Sequence, residues 1–131
     1  MQGTLSHVTY DLSYHVVFVP KRRRKIFGGE RSEYAERVFK QVAQKLEVRF
    51  DTLKVAVDHV HMLLCIPPKY SVSEVMQKLK GASAYLLLKQ YPELRKELPD
   101  DTFWARGYYI RTVGSLNEQL VRNYIDRTDH L

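Results

Sequence analysis

Apolar and polar positions alternate from Tyr10 to Val19. Leu12, Tyr14, Val16 and Phe18 fall on one side, Ser13, His15, Val17 and Val19 on the other, and Pro20 ends the run. A period of two marks a strand with two unlike faces. The period then lengthens. From about Ser32 to Arg49, Tyr34, Val38, Val42 and Leu46 recur every four residues, and Ala35, Phe39 and Ala43 widen the stripe. This predicts a helix with Glu33, Glu36, Arg37, Lys40, Gln44 and Lys45 turned to water. Leu53, Val55 and Val57 alternate with polar or small residues and predict a second strand. His59 to Ile66 predicts a third, closed by Pro67-Pro68, with Asp58 as a short bend before it. Ser71-Val72-Ser73-Glu74 has the form of a capping box and opens a helix to about Tyr91. Its inner stripe is Val72, Val75, Met76, Leu79, Ala82, Ser83 and Leu86. Pro92 and Pro99 punctuate a loop. Tyr108 to Val113 is a fourth strand, broken by Gly114, and a second capping box, Ser115-Leu116-Asn117-Glu118, starts a last helix to about Arg127.

The order β-α-β-β-α-β-α predicts an α+β fold. Its first six elements are the ferredoxin-like βαββαβ plan, an antiparallel sheet with two helices on one face, and the C-terminal helix is an addition. The chain has 131 residues without an internal repeat or a dividing linker, so residues 1–131 are read as one domain. A chain of this length buries enough surface to hold a core without a disulfide or metal staple. Its single cysteine, Cys65, excludes an internal disulfide framework and suits a reducing cytoplasm. The longest apolar run, Met62-Leu63-Leu64-Cys65-Ile66, is far short of the ~20 residues that span a bilayer. No apolar stretch near Met1 resembles a secretion signal, and a cytoplasmic location without membrane association is expected. Lys and Arg number 21 against 15 Asp and Glu, a net charge of +6. That balance favours polyanionic partners, nucleic acid first.

Asp58-His59-Val60-His61-Met62 is the sharpest local pattern. Residues two apart on a strand point the same way, so His59 and His61 are expected to project together while Val60, Met62, Leu64 and Ile66 face the core. Two neighbouring imidazoles can offer lone pairs to one divalent cation. They can equally stand idle on an exposed sheet face. The lack of a Cys-x-x-Cys pair argues against a zinc finger. In the last helix Leu116, Leu120, Tyr124 and Thr128 lie on one line. Tyr124 reads either as a packing aromatic or as a nucleophile toward phosphorus, for which a phenol of pKa ~10 needs help from a base or a cation. Lys21-Arg22-Arg23-Arg24-Lys25 leaves the end of a rigid strand and is a candidate phosphate clamp, or else a solvated basic loop. Phe103-Trp104-Ala105-Arg106-Gly107-Tyr108-Tyr109 mixes aromatics with Arg106. It could stack unpaired bases, although Trp104 reads better as a packing residue. Lys78 and Lys80 add positive charge to the second helix.

Together these residues resemble the small single-tyrosine HUH transposases of bacterial and archaeal insertion sequences, the TnpA type. The likeness runs through Tyr14-His15-Val16-Val17-Phe18-Val19-Pro20-Lys21-Arg22-Arg23-Arg24, then Asp58-His59-Val60-His61-Met62-Leu63 and Lys80-Gly81-Ala82-Ser83. It continues through Phe103-Trp104-Ala105-Arg106-Gly107-Tyr108-Tyr109 and Thr112-Val113-Gly114 to Tyr124-Ile125. The resemblance implies a homodimeric enzyme that cuts and rejoins single-stranded DNA at hairpin-marked element ends. It implies His59 and His61 as ligands of Mg²⁺ or Mn²⁺, and Tyr124 as the nucleophile that forms a 5′-phosphotyrosine. Lys21, Arg22, Arg23, Arg24, Lys25, Lys80 and Arg106 are the expected nucleic-acid contacts. The family typically has a glutamine one turn after the tyrosine as a third metal ligand. Thr128 stands there instead, and water or a carboxylate such as Asp129 would have to replace it. The alternatives are a non-catalytic nucleic-acid-binding module, which leaves His59 and His61 unexplained, and a domesticated relative that cuts genomic hairpins.

Overall fold

The computed structural model describes residues 3–5, 8–98, 102–114, 119, 122–123 and 125–126. Two short strands, β1 (Gly3–Leu5) and β2 (Val8–Tyr10), pair as an N-terminal hairpin. There follow β3 (Ser13–Phe18), a 3-10 turn (Lys21–Arg23), α1 (Glu30–Lys45), β4 (Arg49–Val55), β5 (Val60–Cys65), α2 (Val72–Gln90), the one-turn α3 (Leu94–Glu97) and β6 (Tyr109–Thr112). The larger sheet has the order β4-β5-β3-β6, and each neighbouring pair is antiparallel. β5 therefore lies between β3 and β4, which run parallel to each other and are joined through α1. This is the split-βαβ arrangement expected from the element order.

The helices cover one face of that sheet. Val16 and Phe18 from β3, Val60, Met62 and Leu64 from β5, and Val55 from β4 pack with Ala35, Phe39 and Ala43 of α1 and Val75, Met76, Leu79 and Leu87 of α2. Phe18 meets Phe39 edge-on at 5.8 Å between ring centres. The capping box at the start of α2 is formed: Glu74 N donates to Ser71 Oγ, and Ser71 N to Glu74 Oε1, each at 3.1 Å. Among the described residues no helix is long and apolar enough to cross a membrane.

Several boundaries differ from the sequence reading, each for a local reason. Tyr10 belongs to β2, not to the first strand of the main sheet, because the chain breaks at Asp11-Leu12 before Ser13 enters β3. Helix α1 ends at Lys45, not at Arg49. Glu47 takes φ 57°, a left-handed turn that buries Val48 and sends Arg49 into β4. Apolar Leu46 and Val48 hide that turn from a periodicity argument. The second strand accordingly starts at Arg49, carries an irregularity between Phe50 and Thr52, and leaves Val57 outside it. The third strand starts at Val60, so His59 precedes it. The one-turn α3 lies in the segment read as a loop. Of the predicted last helix, Gln119, Arg122, Asn123, Ile125 and Asp126 are helical. The second capping box, Tyr124, Thr128 and Asp129 lie outside the described residues.

Candidate functional site

The face of the sheet opposite the helices carries the chemistry-bearing side chains. Strand register sets two rows across it. One row is Lys54, His61, Val17 and Tyr109, and the next is Thr52, Leu63, His15 and Arg111. Facing residues in antiparallel strands share a side, so each row is one line of neighbours. Lys54 and Arg111 are exposed at the two ends, and Tyr109 on the edge strand is 61% exposed.

His61 does not stand alone on this face. Its Nε2 lies 3.3 Å from Nδ1 of His15, and the two rings are within 12° of parallel with centres 5.4 Å apart. At that separation the nitrogens lie between the ring centres, so the rings meet edge to edge rather than face to face. His15 is diagonal to His61 across β3 and β5, a contact that only the register creates.

His59 sits at the β4–β5 turn. The ladder continues one step past the strands, since Ala56 N donates to His59 O at 2.8 Å. Alternation from Lys54–His61 through Val55–Val60 then puts Ala56 and His59 on the His61 side. His59 is thus a turn residue and not the strand residue expected, because β5 starts at Val60. Its Nδ1 is 2.9 Å from Asp58 Oδ1, and Arg23 Nε donates to Asp58 Oδ2 at 2.9 Å. The His59 hydrogen bond is the main reason the Asp58 carboxyl is held below the usual aspartate range. Partial burial opposes it, and the Arg23 charge adds to it.

In the basic run, Lys21 is half-buried, and Arg22, Arg23, Arg24 and Lys25 are exposed. The run turns sharply, with φ 56° at Arg22 and 53° at Arg23. Arg23 is engaged with Asp58. Lys80 also has protein partners: its Nζ donates to the carbonyls of Ala105 and Gly107, both at 2.9 Å, and burial pushes its ammonium below the ordinary lysine value. The residue between those carbonyls is the exposed Arg106. Lys80 therefore holds the loop that presents Arg106. Trp104 is a packing residue, as expected. Its ring centre is 4.7 Å from that of Phe18, and Nε1 donates to Lys80 O at 3.1 Å and Ser83 Oγ at 3.0 Å.

A family model described as "Transposase IS200 like" matches residues 8–128. The chain belongs to the IS200-like transposase family. It is similar to the "Transposase for insertion sequence element IS200" of Salmonella typhimurium, at 39% identity over 124 residues covering 95% of this chain and 81% of that one. It is also similar to the "ISDra2 transposase TnpA" of Deinococcus radiodurans, at 30% identity over 117 residues covering 89% of this chain and 84% of that one. A crystal structure of a Deinococcus radiodurans R1 chain superposes with TM-score 0.77 at 25% identity, over 97% of each chain. A tyrosine transposase bound to a REP hairpin shares the fold, with TM-score 0.57 at 12% identity over 99% of this chain and 74% of that one.

In this IS200-like transposase the structure thus brings His59 and His61 to one side and adds Asp58 and His15, which the sequence reading did not place in the site. Asp58 was visible as the neighbour of the His-x-His pair, a position from which a carboxylate reaches an imidazole. No sequence pattern identified His15, because its partner lies 46 residues away on another strand.

Proposed function

We propose that this family member cuts and rejoins single-stranded DNA at hairpin-marked element ends, with His59 and His61 as ligands of a Mg²⁺ or Mn²⁺ ion and Tyr124 as the nucleophile. The residues present fit such an ion. His59 Nδ1 lies 2.9 Å from Asp58 Oδ1, so Nε2 is the ring nitrogen that a cation would use. Among the described residues no cluster of three or more His, Cys, Asp or Glu surrounds one ion position. Phosphate oxygens and water can complete a site that must in any case stay open to substrate.

The bound ion would supply Lewis-acid stabilisation of the charge that develops on the scissile phosphate. The Tyr124 oxygen attacks phosphorus in line, its proton passes to water, and the P–O3′ bond breaks. The electron pair and a proton from water remain on a free 3′-hydroxyl, and the 5′-phosphate is held as a tyrosyl ester. A 3′-hydroxyl attacking such an ester reverses the bond changes and joins ends, so no nucleotide cofactor is required. Lys21, Arg22, Arg24, Lys25 and Arg106 contact the DNA backbone, and Lys80 acts through the Arg106 loop. Tyr109 on the uncovered sheet face offers a ring on which an unpaired base can stack. Two copies of the chain form the working unit.

One observation carries this reading. His61 lies on the sheet face opposite α1 and α2, and His59, 2.9 Å from Asp58, continues that face, in a chain of this family. Purified protein given a hairpin-bearing single-stranded oligonucleotide and Mn²⁺ is expected to form an adduct that survives denaturant. Tyr124→Phe should abolish the adduct and retain hairpin binding. An adduct that persists in Tyr124→Phe assigns the nucleophile elsewhere, and a wild-type protein that binds hairpins without ever forming an adduct is a binding module.

A further inference from the structure

Among the described residues, two exposed cations of this molecule take a left-handed backbone, and one of them is tied to the neighbour of His59. We propose that Arg23 and Asp58 are positioning residues for His59, holding its ring in the Nδ1–H tautomer so that Nε2 faces away from Asp58 with its lone pair free. The proposal deepens the metal reading given above and rests on it for its purpose, though not for its geometry.

The Asp58 oxygens are divided between two donors. Oδ1 accepts from His59 Nδ1 and Oδ2 from Arg23 Nε, each at 2.9 Å. A carboxylate engaged at both oxygens is less free to rotate away from the imidazole. A free imidazole in water prefers its proton on Nε2, the nitrogen a cation would need, so an acceptor at Nδ1 reverses the intrinsic preference.

The backbone is arranged to make this contact. Lys21 N donates to Phe103 O and Arg23 N to Pro20 O, both at 2.8 Å, so the start of the basic run is fixed at the end of β3. Arg22 and Arg23 then adopt φ 56° and 53°, a region that non-glycine residues enter at some energetic cost. A few residues on, Phe27 N donates to Val57 O at 3.1 Å. The 20–27 segment therefore grips the β4–β5 turn twice, once by Phe27 on the backbone and once by Arg23 on Asp58. The Arg23 side chain is 69% exposed, and an exposed ion pair contributes little to folding. A strained turn that ends in such a pair is better accounted for by the ring it orients than by stability. Arg23 is thereby separated from the rest of the basic run. Arg22, Arg24 and Lys25 are exposed, whereas the Arg23 charge is paired with Asp58.

The test reads the tautomer directly. Long-range ¹H–¹⁵N spectra of metal-free, DNA-free protein at pH 8 should show His59 protonated at Nδ1. In Asp58→Ala the proton should move mainly to Nε2. Asp58→Asn keeps an acceptor oxygen and should retain most of the Nδ1–H form. Arg23→Gln, a change at an exposed position, should give a mixture. Mn²⁺ affinity, read from the free-ion electron paramagnetic resonance signal, should fall about 10- to 100-fold in Asp58→Ala and less in Asp58→Asn. A wild-type His59 protonated at Nε2, or an Asp58→Ala protein with unchanged tautomer and unchanged Mn²⁺ affinity, overturns the proposal. His59→Ala separates the two readings. If it leaves Mn²⁺ affinity unchanged, the cation assignment fails, while the tautomer result still decides whether Arg23 and Asp58 orient the ring.

Discussion

The two faces of β5 differ in composition and in use. Val60, Met62 and Leu64 are fully buried beneath the helices, whereas His61 and Leu63, on the alternate positions of the same strand, are only partly covered. Their backbone is shared, so any rigidity that packing gives one face is passed to the other. The buried side holds the strand in register with β3, and that register brings His15 to His61. A helix surface could offer the same residue types, but not two flanking strands that fix their spacing from both sides.

Met62→Ala should have the largest effect. Truncating a fully buried methionine in a close-packed core costs about 2–5 kcal/mol, measured by urea unfolding. A loss below ~1 kcal/mol would mean that the helix-covered face does not anchor the strand. The opposite side should behave in the opposite way. His61→Ala should shift unfolding stability by less than ~1 kcal/mol and lower the rate of adduct formation by about 10²- to 10³-fold. Equal losses of stability and adduct would erase the distinction between the two faces.

Trp104→Phe sharpens the comparison at a purely structural polar network. It keeps the ring against Phe18 and removes the N–H shared by Lys80 O and Ser83 Oγ, with an expected cost of about 1–2 kcal/mol in thermal or urea unfolding. It should leave Mn²⁺ affinity unchanged. The smallest effect is at the start of α2. The Ser71 backbone N–H holds the Glu74 carboxyl below the usual glutamate range, with the Ser71 side chain as a second cause. The charged form is thus favoured in the folded state. Its contribution is present above the ordinary glutamate value, about pH 4.5, and is lost as pH falls through the lower folded value. Melting curves of wild type and Glu74→Gln should differ near neutral pH and converge in acid. A gap that stays constant down to pH 3 would assign the effect to something other than the carboxylate.

The types and order of the main-sheet strands, α1 and α2 were legible, because burial on one side of each element imposes a period that the residues display. The inner face of β5 and the capping box of α2 are direct examples. The N-terminal hairpin was missed, since Thr9, Tyr10 and Leu12 read smoothly into β3 and only the break at Asp11 separates them. The end of α1 was misplaced by four residues, since one left-handed residue, Glu47, ends a helix without interrupting its apolar pattern. In the candidate site, the His-x-His spacing of His59 and His61 was legible. The intramolecular contacts of Arg23 and Lys80 were not, because a cationic side chain can be satisfied by a carboxylate or a carbonyl from another part of the chain.

The amino-acid order alone determines which residues alternate, where α2 starts, and that two histidines stand two positions apart after an aspartate. Those are near-neighbour properties, set by backbone geometry over a few residues. The tertiary structure alone decides that β5 inserts between β3 and β4, that His15 meets His61 across the strands, and that the strand-end basic turn folds back onto Asp58. The β3–β5 pairing, the His15–His61 contact and the Arg23–Asp58 ion pair each join residues 35 or more positions apart, and such contacts form only when burial of the shared core brings distant segments together.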